Sequence, residues 1–117
     1  MAERKLSSSN FHNQSFLEEK CALTELINIL SKRWMTEVLF SIEEGHSRFT
    51  SLKEDLEFIS DHILADRLKF LEQHELISKS YIPGNPPRTE YALTDKGTEL
   101  SDLMDGLCKF AENKMNF

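Results

Sequence analysis

The sequence predicts a mainly helical domain with one small antiparallel β-hairpin, and three observations carry that expectation. Apolar residues recur at helical spacing in a series of short stretches. One pair of strand-like segments flanks a stiff turn, Pro83-Gly84-Asn85-Pro86-Pro87. Residues suited to helix ends punctuate the chain at Ser31, Gly45, Thr50, Ser60 and Thr94. At 117 residues, with 39% hydrophobic and 29% charged, the chain has the material for one modest core and no more.

Taken in order, residues 1–15 are polar, with Ser7-Ser8-Ser9-Asn10 at their centre, and read as a flexible arm whose Phe11, like Phe16 just beyond it, is available to a partner chain. Residues 16–117 read as a single domain. Leu23, Leu26, Ile27 and Leu30 mark a first helix beginning near Cys21. Ser31 is placed to cap a second, Lys32 to Glu44, with Trp34, Val38, Leu39 and Ile42 facing the core and Gly45 as its left-handed stop. His46 to Phe49 suits an edge strand. Thr50 to about Leu56 forms a third helix with Thr50 as cap, and Glu57-Phe58-Ile59 connects it to a fourth.

That fourth helix, about residues 60–74, is capped by Ser60 and carries Asp61 in its first turn. Strands from Leu76 to Ile82 and from Arg88 to Leu93 make the hairpin. Thr94 then caps a last helix with a wide stripe of Leu100, Leu103, Met104, Leu107, Cys108, Ala111 and Met115. Two short helices followed by a hairpin are a helix-turn-helix with a wing.

Several function classes drop out. No apolar run approaches a membrane span, and the first residues lack a signal peptide's apolar stretch, so a cytoplasmic protein is expected. Cys21 and Cys108 are far apart and match no metal-ligand spacing, and His12, His46, His62 and His74 form no ligand cluster at recognised spacing. With no Gly-rich phosphate loop or nucleophile elbow either, neither an enzyme nor a bound metal or cofactor is expected. Fourteen Lys and Arg against twenty Asp and Glu leave a net charge of −6, which argues against indiscriminate phosphate binding. A locally basic face remains compatible with it.

The fourth helix carries the functional signal. Leu64, Leu68 and Leu71 share one face, while His62, Ala65, Asp66 and Lys69 fall at i, i+3, i+4 and i+7 on the other. By itself this is an amphipathic helix with a solvated side. In a winged helix-turn-helix it is the element that enters the major groove, where base edges display distinguishable donors, acceptors and methyl groups. His62 and Lys69 can donate to guanine, Asp66 can accept from cytosine, and Ala65 can pack on a thymine methyl.

At this point the residues resemble the HxlR-type winged helix-turn-helix regulators, relatives of the MarR group. The segment Ile59-Ser60 through Leu64-Ala65-Asp66-Arg67-Leu68-Lys69-Phe70-Leu71-Glu72 to Leu76-Ile77 is similar to that family's recognition helix. Cys21, Arg33-Trp34, and Arg48-Phe49 with Leu52 sit at its spacing upstream, and Pro86-Pro87-Arg88 through Thr94-Asp95-Lys96-Gly97 resembles its wing and the start of its final helix. The likeness covers roughly residues 21–112. Ser31-Lys32 and Phe58 stand where relatives often have glycines, and Asp61 is an unusual acid.

The resemblance implies a sequence-specific, DNA-binding transcriptional regulator acting as a homodimer, with the wing, about 77–93, on the backbone or minor groove. Ser60, Lys79, Lys32 and Arg33 are then phosphate contacts, and Arg88 reaches from the wing; the competing reading of Arg88 is a surface ion pair with Glu90 or another acid. Arg67 lies on the flank, open equally to DNA or to an ion pair with Glu37 or Asp55. Leu100, Leu103, Met104, Leu107 and Ala111 are expected to pair with their mates across a two-fold axis, setting half-sites about 34 Å apart. Trp34 and Cys108 are expected to pack in the interior. Cys21 matches a cysteine that some relatives use to sense oxidants or electrophiles; the competing reading is a buried structural thiol. An oxidant or an unidentified small effector is thus a candidate partner. The rival function is a winged-helix module that binds protein, with weak or no DNA affinity. A DNA reader should gather Lys32, Arg33, Lys69, Lys79 and Arg88 on one face, away from its acids.

Overall fold

The computed structural model describes residues 21–117, so the arm of residues 1–15, Phe11 and Phe16 lie outside the described residues. Two units are distinct, divided between Arg33 and Trp34. In the first, residues 21–30 are helical (α1), with Leu26, Ile29 and Leu30 half-buried. Ser31 does not cap the next helix. Its hydroxyl donates back to Asn28 O at 3.1 Å, the local bond that serine offers to a carbonyl left over at a helix end.

The second unit runs α2 (Met35–Glu43), α3 (Phe49–Asp55), α4 (Asp61–Gln73), β1 (Ile77–Ile82), β2 (Arg88–Leu93) and α5 (Asp95–Lys114). The sequence places α2 three residues too early. Trp34 precedes it in the left-handed region at φ 70° and is half-buried, and Met35 is the first core residue. At the other end Gly45, at φ 111°, closes α2 as expected: Gly45 N–H donates to Ile42 O and His46 N–H to Ser41 O, a Schellman pair. α3 begins one residue earlier than its sequence suggests. Ser51, not Thr50, provides the cap, its hydroxyl accepting from Arg48 N–H at 3.1 Å. The expected edge strand at His46 to Phe49 is absent from the sheet; it is reduced to one bond, Tyr91 N–H to Ser47 O at 2.7 Å.

Ser60 caps α4, its hydroxyl accepting from Ile63 N–H at 3.1 Å. Leu64, Leu68 and Leu71 then point inward, against Met35, Val38, Leu39 and Ile42 of α2 and Leu52 of α3 in one buried core. Glu75 adopts the left-handed conformation usually given to glycine, and a second Schellman pair (Glu75 N–H to Glu72 O, Leu76 N–H to Leu71 O) ends α4. The chain reverses directly into β1, which pairs antiparallel with β2 from Ile77↔Leu93 to Ile82↔Arg88. Facing residues in a ladder share a side. Ile77, Lys79 and Tyr81 therefore stand with Leu93, Tyr91 and Thr89, and Ser78, Ser80 and Ile82 with Ala92, Glu90 and Arg88.

Thr94 is the joint between the hairpin and α5. Its hydroxyl accepts from Gly97 N–H at 3.0 Å and donates to Glu75 O at 2.7 Å, while its N–H donates to Leu76 O. Lys96 Nζ adds a bond to His74 O at 3.0 Å. Gly97 fits because a Cβ there would sit 1.9 Å from Leu76 O.

On α5 the buried face is Gly97, Leu100, Ser101 and Met104, at i, i+3, i+4 and i+7. Leu100 and Met104 thus pack inside their own chain. Leu103, Leu107, Phe110 and Met115 remain exposed, with Ala111 half-buried among them. Cys108 is exposed as well, contrary to the expectation that it packs. The Ser101 hydroxyl is fully buried and has no partner among the described residues. Replacing it should relieve a desolvation cost: Ser101→Ala is expected to raise unfolding free energy by about 1 kcal/mol, read from the urea midpoint. A lowered midpoint would mean that the hydroxyl is satisfied in solution.

Candidate nucleic-acid interface

Two elements, α4 and the hairpin, build one wet face. α4 contributes His62, Ala65, Asp66 and Lys69, all exposed, because the period of 3.6 that buries Leu64, Leu68 and Leu71 turns these four outward. The Ser60 cap leaves the first turn of α4 exposed at Asp61 and His62. The hairpin contributes Lys79, brought opposite Tyr91 by the ladder register. Between them lies an open groove lined by Phe49, Ala65, Leu68, Lys69, Glu72, Lys79 and Tyr91. Lys69 and Lys79, far apart in sequence, therefore share one groove, on the wing side of the recognition-type helix.

Two of the three acids on α4 are paired, and the third, Glu72, lines the groove itself. Asp61 pairs with Lys53 at 3.0 Å, and Lys53 Nζ also donates to Ile59 O. Asp66 pairs with Arg67, whose side chain is 14% exposed and lies along the helix flank. Arg67 thus takes a partner one residue away, which the sequence did not single out. Each pair lowers the repulsion that an unpaired carboxylate would exert on phosphate, and each leaves carboxylate lone pairs for other donors.

On the other side of the hairpin, Glu90 accepts from Arg88 Nε at 2.9 Å and lies 4.0 Å from Arg48 Nε. The two guanidiniums flank one carboxylate, so the wing presents a net positive edge. Arg48 did not stand out as a site residue in the sequence. Its signals are the family-like spacing of Arg48-Phe49 and the position just before α3, and its neighbour Ser47 accepts a bond from Tyr91 of the wing. Phe49 and Tyr91 were likewise invisible as groove walls, since only pairing of distant segments brings them together. Lys32 and Arg33 are exposed but belong to the first unit, whereas Lys69, Lys79 and Arg88 belong to the second. Cys21 is helical and exposed rather than buried; the residues ahead of it, which decide whether it starts its helix, fall outside the described residues.

Short helices α2, α3 and α4 around one core, followed directly by a two-stranded wing and a long helix, define a winged helix-turn-helix protein. The HxlR-like helix-turn-helix family profile matches residues 29–117, and the chain belongs to that family. It is 38% identical over 100 residues to the HTH-type transcriptional regulator YvaP of Bacillus subtilis, covering 85% of this chain and 90% of that one. To the HTH-type transcriptional regulator YodB of the same organism it is 34% identical over 85 residues, 73% of this chain and 76% of the relative. Among solved structures, the reduced form of YodB from B. subtilis superposes with a TM-score of 0.73 at 31% identity, over 80% of this chain and 91% of the other. A redox regulator, HypR in its reduced form, shares the fold at 19% identity, with a TM-score of 0.72 over 80% and 93%. The chain is accordingly a member of a family of helix-turn-helix transcriptional regulators.

Proposed function

We propose that this protein is a sequence-specific DNA-binding transcriptional regulator that works as a homodimer in the cytoplasm, with no enzymatic activity. The carrying observation is the exposed His62, Ala65, Asp66 and Lys69 face of α4, joined through one groove to Lys79 of the wing. In this reading α4 lies in the major groove. His62 and Lys69 donate to purine edges, Ala65 meets a thymine methyl and the free lone pairs of Asp66 accept from cytosine. Lys79, Ser60, and Lys32 and Arg33 of the first unit hold phosphates, while Arg88 follows the backbone or minor groove. Affinity comes from the wing and flanking cations, and α4 specifies. The two ion pairs that occupy Asp61 and Asp66 favour this division, because they offset part of the repulsion that the acids of the helix would otherwise cause.

Binding to the promoter region beside the protein's own gene, measured at two salt concentrations, tests the reading. Affinity should fall steeply with salt, as released counterions require. His62→Ala should cost about 1–3 kcal/mol at one base position, whereas Arg88→Ala should weaken all sequences alike and make the salt slope shallower by about 1. A flat salt response, with both variants binding like wild type, would leave the protein-binding alternative standing.

Cys21 supports a second element of the reading. Its thiol is exposed and reachable by an oxidant or electrophile. Cys21→Ser should bind DNA normally when reduced and no longer release it on oxidation. If the variant still releases DNA as wild type does, the sensing role is wrong.

A further inference from the structure

One cluster on the far end of α2 has no part in the face described above. Glu44, His46 and Asp55 each offer a ligand atom, and these atoms lie within 4.8 Å of one another. They come from three places: Glu44 caps the C-terminus of α2, His46 follows the glycine stop, and Asp55 is the last residue of α3. Their arrangement is anchored. The backbone of His46 is held by its N–H bond to Ser41 O at 3.2 Å. Ser41, only 2% exposed, donates its hydroxyl to Asp55 Oδ2 at 2.6 Å. That bond leaves Oδ1 turned toward His46 Nε2, 3.5 Å away.

Donors bonded tetrahedrally to an ion at ordinary metal–ligand lengths stand about 3.4 Å apart. The pair formed by His46 and Asp55 already has that separation, and a carboxylate oxygen of the exposed Glu44 lies within 4.8 Å of both. The local charge asks for a cation. α2 and α3 both end here, exposing the negative ends of their dipoles, and α2 has no basic residue in its last turn. The basic residue in the last turn of α3, Lys53, reaches away to Asp61 and Ile59 O. An imidazole nitrogen beside two carboxylates suits a first-row transition ion, while all-oxygen sets suit Mg²⁺ and Ca²⁺.

We propose that Glu44, His46 and Asp55 form a binding site for a divalent transition ion of the Zn²⁺ class, which clasps the end of α2 to the end of α3. Histidine spacing did not reveal it, because two of the three donors are carboxylates and one of those is eleven positions downstream of Glu44. The ion braces the scaffold beneath α4, away from the DNA-facing residues.

The full chain, stripped with chelator, is titrated with ZnCl₂ by calorimetry and with CoCl₂ by absorption. One equivalent of Zn²⁺ per chain should bind and raise the melting temperature, and MgCl₂ should do neither. The Co²⁺ spectrum should lack the near-ultraviolet sulfur-to-metal band, since Cys21 and Cys108 take no part. Glu44→Gln and His46→Gln should each weaken Zn²⁺ binding at least about 10-fold, in the range that loss of metal-supporting groups commonly costs. Asp55→Asn should do the same; because it also touches Ser41, the exposed Glu44 and half-buried His46 variants carry the test if Asp55→Asn is unstable. The absence of saturable binding, a sulfur band, or wild-type affinity in His46→Gln would each overturn the site.

Discussion

Gly97→Ala is expected to lose about 4 kcal/mol or more of unfolding free energy, measured by urea denaturation. That is a large share of the roughly 5–15 kcal/mol that holds a domain folded. The new Cβ would lie 1.9 Å from Leu76 O and 3.0 Å from Leu76 C, and both obstacles are backbone, which cannot rotate aside. Relief requires α5 to lift from the start of β1. The lift would break the Thr94 N–H bond to Leu76 O and the hydroxyl bond to Glu75 O, and it would loosen Leu100 in the core. The variant should therefore lose DNA binding together with stability. An unchanged urea midpoint would show that α5 approaches β1 less closely than described.

The second large effect belongs to the outer face of α5. Leu103, Leu107 and Phe110, at 63%, 61% and 56% exposure, stand in one row on a helix whose other face is already used. Burying a leucine side chain contributes about 1.5–3 kcal/mol, and in a two-fold interface every substitution acts twice. Leu107→Glu should weaken homodimer formation by about 100-fold or more, at tenfold per 1.4 kcal/mol. Sedimentation at micromolar concentration should then show monomer. DNA affinity should fall about 10²–10⁴-fold as the two recognition helices lose their linkage. Leu100→Glu would give no such separation, because Leu100 is buried within the chain and its loss unfolds the protein. If Leu107→Glu sediments like wild type, the pairing face lies elsewhere.

What could be read from the sequence was local. Ser60, Thr94 and Gly45 were legible as helix ends because each acts on a backbone group within a few residues, through a hydroxyl or a left-handed turn. The faces of α4 were legible because one periodicity decides both. Ser31 misled for the same local reason: a hydroxyl between two helices can serve either, and here it bonds backward to Asn28. Trp34 misled because the start of α2 depends on a left-handed residue that no composition rule assigns to tryptophan. Contacts between distant segments were beyond reach. The groove joining Lys69 to Lys79, the approach of Arg48 to Glu90, and the Lys53 partner of Asp61 all depend on how the helices and wing stack. The α5 stripe was visible but undivided. Only the packed core separates Leu100 and Met104 inside from Leu103 and Leu107 outside.

The Thr94 joint has a mechanical meaning. With the Lys96 bond beside it, it ties His74 and Glu75, just past the end of α4, to the first turn of α5. α5 is 20 residues long, about 30 Å of rigid rod at 1.5 Å per residue. In a two-fold pair, a few degrees of rotation where the rods meet changes the separation of the recognition helices by ångströms. In the proposed homodimer, spacing between half-sites would then follow the angle at which the two rods meet.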